Sequence, residues 1–379
     1  MKVSQVVVQA ANAAGADFSA LSAIKPGLVL AFGSVDALRG GADAIGKAFP
    51  EAHRVGCSTA GEISKDGVND GTLVVTAVQF DQTQIEQVST VLASMDDSFD
   101  AGKRLAGGLH QEGLRAVMIF GQGVAINGSA VLNGMTEILG KEVPITGGLA
   151  GDGGAFQQTW VLDDAGVSSN RLVCVGLYGS QLEFSHGSFG GWSPFGPARR
   201  VTRCAGNVLF ELDGESALEV YKKYLGDHAK GLPASGLLFP FAMLGSDHSE
   251  VGLIRTILAV DEAAGSLTLA GEIDPDGYLR LMHASTDALV DGAEAAAEAA
   301  VKMQNSAGSG LALLVSCVGR KLVMGGRVDE EVEAVGDVFG TGATLAGFYS
   351  YGEISPFTKA VECKLHNQTM TITYLSESA

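Results

Sequence analysis

Two glutamates stand in the same frame, nearly three hundred residues apart. Gly56-Cys57-Ser58-Thr59-Ala60-Gly61-Glu62-Ile63-Ser64 and Gly347-Phe348-Tyr349-Ser350-Tyr351-Gly352-Glu353-Ile354-Ser355 both read G-x4-G-E-I-S without a gap. Carboxylates in equivalent glycine loops converge on one cleft if the copies pack with pseudo-symmetry. There Glu62 and Glu353 would hold a cationic group, such as the ammonium of an amino acid. The competing reading is local: each carboxylate accepts backbone N–H groups and stabilises its own tight turn. Ala150-Gly151-Asp152 matches Ala60-Gly61-Glu62 in type, which makes Asp152 a third carboxylate of the set.

Cys57, between a glycine and the Ser58-Thr59 pair, is placed as a nucleophile or a thiol redox switch would be. A nucleophile needs a base, and His53 alone is close in the chain. A buried, inert cysteine is the rival. Tyr349, Tyr351 and Trp192 lie in glycine-rich loops and suit the wall of a small-molecule pocket, with ordinary loop packing as the alternative. The seven histidines show no HxH or HExxH spacing, so a transition-metal cluster has no signature here. A single axial histidine to haem leaves no such signature, whereas CxxCH, needed for covalent attachment, is absent. The phosphate-loop frames GxxxxGK[ST] and GxGxxG are also missing.

The elements around these loops repeat as well. Apolar Leu28 to Phe32, helical Val35 to Phe49, the first glycine loop and apolar Leu73 to Phe80 form one unit. Leu311 to Ser316, Asp329 to Phe339, the second loop and Thr369 to Leu375 form another. A looser copy runs from Val117 to Phe120 through helical Ser129 to Leu139 and Pro144 to Asp152, ending in Leu172 to Tyr178. Ser4 to Ala14 has helical spacing, and 186–200, dense in glycine, proline and aromatics, reads as an ordered loop. A hairpin follows at Ala205-Gly206-Asn207, then a helix from Ala217 to Leu225 with Ser216 as its cap. Ala284 to Met303 is the longest expected helix. The class is α/β, or α+β with mixed sheets flanked by helices and internally repeated strand-helix-loop-strand units.

Bulk composition narrows the function. With 379 residues, 46% hydrophobic and 18% charged, the chain is long enough for sizeable cores. A net charge of −18 argues against nucleic acid and against an anionic membrane surface. No apolar run is long enough to cross a bilayer, so membrane insertion is not expected. Five widely spaced cysteines without CxxC fit a reducing, cytoplasmic setting.

In order along the chain, several pieces resemble the FIST family (F-box and intracellular signal transduction). They are Gly56 to Ile63, Gly147 to Asp152, Val201-Thr202, Glu211 to Gly214 with Ala217-Leu218, Arg255 before Val260, Ser316 to Arg320, and Gly347 to Pro356. The resemblance implies an N-terminal FIST domain over 27–215 and a C-terminal one over 216–358, with a helical flank at 1–26 and a closing strand within 359–379. It also implies a free-standing cytoplasmic sensor that binds a small molecule or gas and regulates a separate histidine kinase or cyclic-di-GMP enzyme. The implied ligand-binding set is Cys57, Ser58, Thr59, Gly61, Glu62, Asp152, Trp192, Arg255, Tyr349, Tyr351, Gly352 and Glu353. A bacterial subgroup of similar layout senses nitric oxide through haem. If haem b is the cofactor here, His186, His228, His248 and His283 are the axial candidates. An enzyme or redox switch built on Cys57 is the alternative, and no catalytic signature beyond that thiol is present. A third class is an interaction scaffold whose acidic surface docks a partner.

Overall fold

The structure, a computed structural model, describes residues 1–304, 309–357 and 362–378. Three six-stranded mixed sheets carry most of the chain, and an eight-stranded sheet carries the rest. The expected mixed-sheet α/β class is what forms.

Each six-stranded sheet is built on a parallel pair: Leu28–Gly33 with His53–Ser58, Leu114–Gly121 with Ile145–Leu149, and Gly310–Cys317 with Ala343–Ser350. The crossover helices are Val35–Ala48, Gly128–Leu139 and Asp329–Phe339. An antiparallel strand flanks each pair: Thr72–Gln79, Arg171–Tyr178 or Met370–Glu377. Outside it runs the unit's opening strand: Lys2–Gln9, Gln84–Val91 or Leu182–Phe189. The looser copy is therefore a full third unit.

The units interlock through their hairpins. Glu62–Ser64 and Gly67–Asn69 of the first unit pair onto the third unit's Ala343–Ser350. Val161–Asp163 and Gly166–Ser168 of the second pair onto His53–Ser58 of the first. Gly352–Pro356 and Cys363–His366 of the third pair onto Ile145–Leu149 of the second. The exchange closes a pseudo-threefold ring, and no unit keeps its own hairpin.

Register fixes the equivalences. Gly56 lies opposite Ala31, Gly147 opposite Ile119 and Gly347 opposite Leu314. A Cβ at any of the three would overlap the facing carbonyl oxygen, so glycine is required at the close approach. Inner faces meet on the axis in tiers: Leu28, Ala116 and Leu311, then Leu30, Met118 and Leu313, then Phe32, Phe120 and Val315. Phe348 stacks on Phe32 at 4.7 Å and stands 6.1 Å from Phe120. Each such ring contributes roughly 1.5–3 kcal/mol by burial.

Two local expectations change. The N-terminus begins as the strand Lys2–Gln9, paired residue for residue with Thr72–Gln79, instead of a helix. Its β-branched valines fit a pleated edge better than a helical turn. The segment 186–200 is mostly strand, Leu182–Phe189 and Ser193–Ala205, broken only at Gly190 to Trp192.

That break is where the eight-stranded layer starts. In the first two units the opening strand leads within a few residues to helical Ala10–Gly15 or to helix Ser98–Gly108. In the third, the chain builds strands from Ser193 to His283 before returning as helix Thr286–Lys302. Ser193–Ala205 pairs with both Val208–Leu212 and Tyr278–His283 and so joins the two halves of this insert. Helix Ala217–Leu225, capped by Ser216, packs Leu218 and Tyr221 into a core with Leu209, Leu267 and Leu279. The 215/216 border lies inside this layer, where Glu215–Ser216 pairs with Val208–Leu212. Part of the closing flank, 359–361 and 379, is outside the described residues; the rest includes Cys363–His366 and Met370–Glu377. Among the described residues no helix is long and apolar enough to cross a membrane.

Candidate functional site

Ligands of α/β sheets sit beyond the carboxyl ends of parallel strands, where loops splay apart. The pseudo-threefold provides three such positions, and they differ in content.

The first cleft, about 250 Å³, lies beyond Leu28–Gly33 and His53–Ser58. Ser34 follows the strand and caps helix Val35–Ala48, its Oγ accepting from Ala37 N–H at 3.3 Å. The helix therefore presents its opening backbone N–H groups at the cleft wall formed by Ser34, Val35 and Asp36. Thr59, Gly61, Glu62, Asp70 and Gly71 supply the opposite side, and Asp152 with Gly153 enters from the second unit.

The carboxylates here are differently engaged. Glu62 is buried and accepts from Thr59 Oγ1 at 2.5 Å and from Thr72 N and Oγ1 at 2.9 and 2.8 Å. Burial raises its pKa despite those donors. Asp152 accepts from Phe156, Gln157 and Gln158 N–H groups and from the Tyr351 hydroxyl. Burial opposes its ionisation, but the Tyr351 hydroxyl and the three amides outweigh it and lower its pKa. Asp70 pairs with Lys321 of the third unit, whose ammonium also donates to Ala60 O at 2.9 Å. An ammonium thus already rests on this rim, over Gly61.

The second cleft, about 300 Å³, lies beyond Leu114–Gly121 and Ile145–Leu149. Asn127 and Gly128, Leu149 and Tyr351 line it, and the insert covers it with Asn207 and Thr268 to Gly271. Among the described residues no Asp, Glu, Lys or Arg lines it. At the third position helix Val318–Met324 follows the strand directly, and Gln368 packs against Gly319 and donates to Leu237 O at 2.9 Å.

The residues singled out from sequence scatter accordingly. Thr59, Gly61, Glu62 and Asp152 meet at the first cleft; Tyr351 lines the second. Glu353 repeats the Glu62 turn, accepting from Ser350 Oγ at 2.9 Å and from Thr369 N and Oγ1 at 3.1 and 2.9 Å. It is buried and lines none of these clefts, so the two glutamates do not share one. Gly352 is buried in the same turn. The register also moves Asp152: five residues past Gly147, it corresponds to Gly61 and Gly352, and Val161 takes the glutamate's place in the hairpin.

Ser58 ties units together, donating to Gly151 O at 2.6 Å and accepting from Trp160 N–H at 2.9 Å. Tyr349 is fully buried and donates to Glu331 at 2.5 Å. Arg255 is buried, bonds only carbonyls (Glu272, Ile254 and Leu365) and is pushed down to about 10 by desolvation. It joins the insert to the third unit's hairpin. Trp192 borders a separate cleft of about 350 Å³ inside the insert.

Cys57 lies in the axial core beside Phe32 and Phe348, fully buried, and desolvation pushes its thiol well up. His53 starts the same strand and pairs with Asp164 at 2.7 Å. At about 3.3 Å per residue it stands roughly 13 Å from the thiol. A nucleophile or redox switch at Cys57 would lack His53 as its base, and the buried thiol has no access to solvent.

The haem candidates fit no better. His186 is buried between sheets, its Nδ1 unpartnered, and burial pushes it down to about 4. His228 packs on Phe239, His248 on Tyr278 and His283 on Phe195. None of the four lines any of these clefts, so none of them is placed to ligate haem iron there. Among the described residues no group of three or more His, Cys, Asp or Glu is placed to hold a metal ion.

Sequence reasoning missed Ser34, Asp36, Asp70 and Gly71. The Ser-x-Asp start of the first crossover helix was the available signal.

An uncharacterized protein of Methanocaldococcus jannaschii is 33% identical over 96 residues, 25% of this chain and 19% of that relative. Two cyanuric acid hydrolase structures, one from A. caulinodans, align over 99–100% of this chain and 99% of theirs, at 9–10% identity and TM-scores of 0.34 and 0.35. The FIST N domain model matches residues 27–215 and the FIST C domain model residues 217–356. The chain belongs to the FIST family, whose domains are sensors in signal transduction.

Proposed function

We propose that this chain senses a small zwitterion of the α-amino-acid type, held in the first cleft. One observation carries the reading: the N-terminus of helix Val35–Ala48 and acidic side chains from two units line the same 250 Å³ space. Opening helical N–H groups suit a carboxylate. Asp36, Asp70 and Asp152 suit an ammonium, and Lys321 on the rim is an internal precedent for one. Glu62 acts indirectly, by holding the turn that carries Gly61 and by adding negative potential.

An occupant touching Val35 and Asp152 joins the first unit to the second, and the second unit is where the insert closes. That connection offers differential affinity between two arrangements, without which no signal passes. The proposed output is a separate signalling protein in the cytoplasm, a histidine kinase or a cyclic-di-GMP enzyme, and no catalytic step is part of the reading.

A thermal-unfolding screen of the twenty common amino acids is the test. At least one should raise the Tm of the wild type, and Asp36→Asn should weaken its apparent affinity by about tenfold. A shift that survives unchanged in Asp36→Asn, or none with any amino acid, counts against the reading.

A further inference from the structure

The cleft beside Trp192 contains a cation that the protein itself leaves unpaired. Arg280 lies on strand Tyr278–His283 with Ala242 in register on one side and Ala198 on the other. Beyond Ala242, Ile254 is next across the sheet. Arg280's immediate cross-strand neighbours are apolar, and the two alanines leave room around the guanidinium; Tyr278 and Arg200 follow two residues along the same face, and Glu250 lines the cleft. Arg280 makes no hydrogen bond or ion pair to any described residue, and its Nε is buried without a partner. Arg54 and Arg199 also leave Nε without a partner, but, like the other buried or half-buried arginines 171, 255 and 320, each makes at least one hydrogen bond. A buried Nε without an acceptor, on a half-exposed guanidinium that no described residue holds, marks the position as one open to an external acceptor.

The surroundings define what that acceptor is attached to. The cleft holds about 350 Å³, within the range of small-molecule sites. Trp192, Ile254, Met243 and Met282 wall it. The indole N–H is already bonded to Gln368 O at 2.7 Å, so Trp192 offers its apolar ring. Methionines adapt to a ligand's outline. Glu250 lines the same cleft but does not pair with Arg280. A planar guanidinium over an apolar hollow fits a planar anion with an apolar body.

We propose that this cleft is a second ligand site, for a small monocarboxylate with an aromatic or branched aliphatic body, its carboxylate on Arg280. The site adjoins the crossing into the insert, because Gly190 and Gly191 line it and Arg320 of the third unit donates to Gly190 O. An occupant therefore contacts the segment that joins the insert to the ring. The proposal is independent of the first cleft, which shares no residue with this one.

The experiment uses the full chain carrying Trp160→Phe, which leaves Trp192 as the single tryptophan reporter. Benzoate, cyclohexanecarboxylate and the neutral analogue benzamide are titrated against its fluorescence. At least one carboxylate should give a saturable change below about 10 mM. Benzamide should bind at least about tenfold more weakly, as should the carboxylate with Arg280→Gln. Arg280→Gln should keep the wild-type circular dichroism and Tm, since no protein partner is lost, and Ala242→Leu should block binding by filling the cleft. Absence of a saturable response, or a response indifferent to both the carboxylate and Arg280→Gln, overturns the proposal. Neither result bears on amino-acid binding at the first cleft.

Discussion

Glu353 is a buried carboxylate facing only neutral donors, and that setting gives it a measurable signature. Burial pushes it up from 4.5 to about 7, with partial relief from Thr369, Ser350 and the charge of Arg320. An acid whose folded pKa is raised stabilises the fold fully below pH 4.5, and the contribution is lost as pH rises through about 7. By linkage the loss is up to about 3 kcal/mol over that window. His186 and His366, pushed down to about 4 by burial, act in the opposite sense below their ordinary 6.5, so the informative quantity is a difference between proteins. Urea unfolding at pH 5, 6 and 7.5 should show Glu353→Gln losing less stability than wild type as pH rises; parallel profiles would contradict the assignment. A second expectation concerns Cys57: alkylation at neutral pH should track global unfolding, and rapid labelling of the native protein would refute its core placement. The repeated Gly-Glu frame made both glutamates visible in sequence. Their inward orientation was not, because the acceptors' partners Thr72 and Thr369 lie ten and sixteen residues further on. Asp36 and Arg280 were missed for a related reason: a single charged residue has no spacing.

At the scale of elements, local periodicity served helices well and strands less well. Asp329–Phe339 and Ala217–Leu225 form as their apolar spacing implies, and Val35–Ala48 ends one residue short of expectation. Hairpins exchanged between units were beyond reach, since strand partners are chosen by three-dimensional closure and not by neighbours in the chain. The same limit misplaced Asp152 by one position relative to Glu62: residue types matched, but the pairing of Gly147 with Ile119 sets the register. Pairing also overrode the helical spacing of the N-terminus, where Val6 and Val7 lie opposite Val75 and Val74. The required glycines test the pseudo-threefold directly. Gly347→Ala drives a methyl into the Leu314 carbonyl and should cost about 3 kcal/mol or more in urea unfolding. A loss below about 1 kcal/mol would mean that the parallel pair is not packed this closely.

On the scale of the molecule, the ring supplies three similar strand-end positions and uses each differently. One is acidic and faces a helix N-terminus, one is uncharged and covered by the insert, and one is filled by helix Val318–Met324. The repeat was legible because each loop opens on a glycine that the close approach to the facing strand requires, at 56, 147 and 347. The divergence was not, because it depends on which unit's loop reaches into which neighbour. A net charge of −18 favours cationic and zwitterionic ligands over anions in the acidic cleft. An anion requires a local cation such as Arg280. Calorimetric titration of the wild-type protein separates recognition of a zwitterion from recognition of either charge alone. It compares the best amino acid from the thermal screen with its N-acetyl form and its carboxamide. Loss of either charge should reduce affinity by at least about tenfold, since each end of the ligand has its own wall. Equal binding of all three compounds would contradict recognition of a zwitterion in the first cleft.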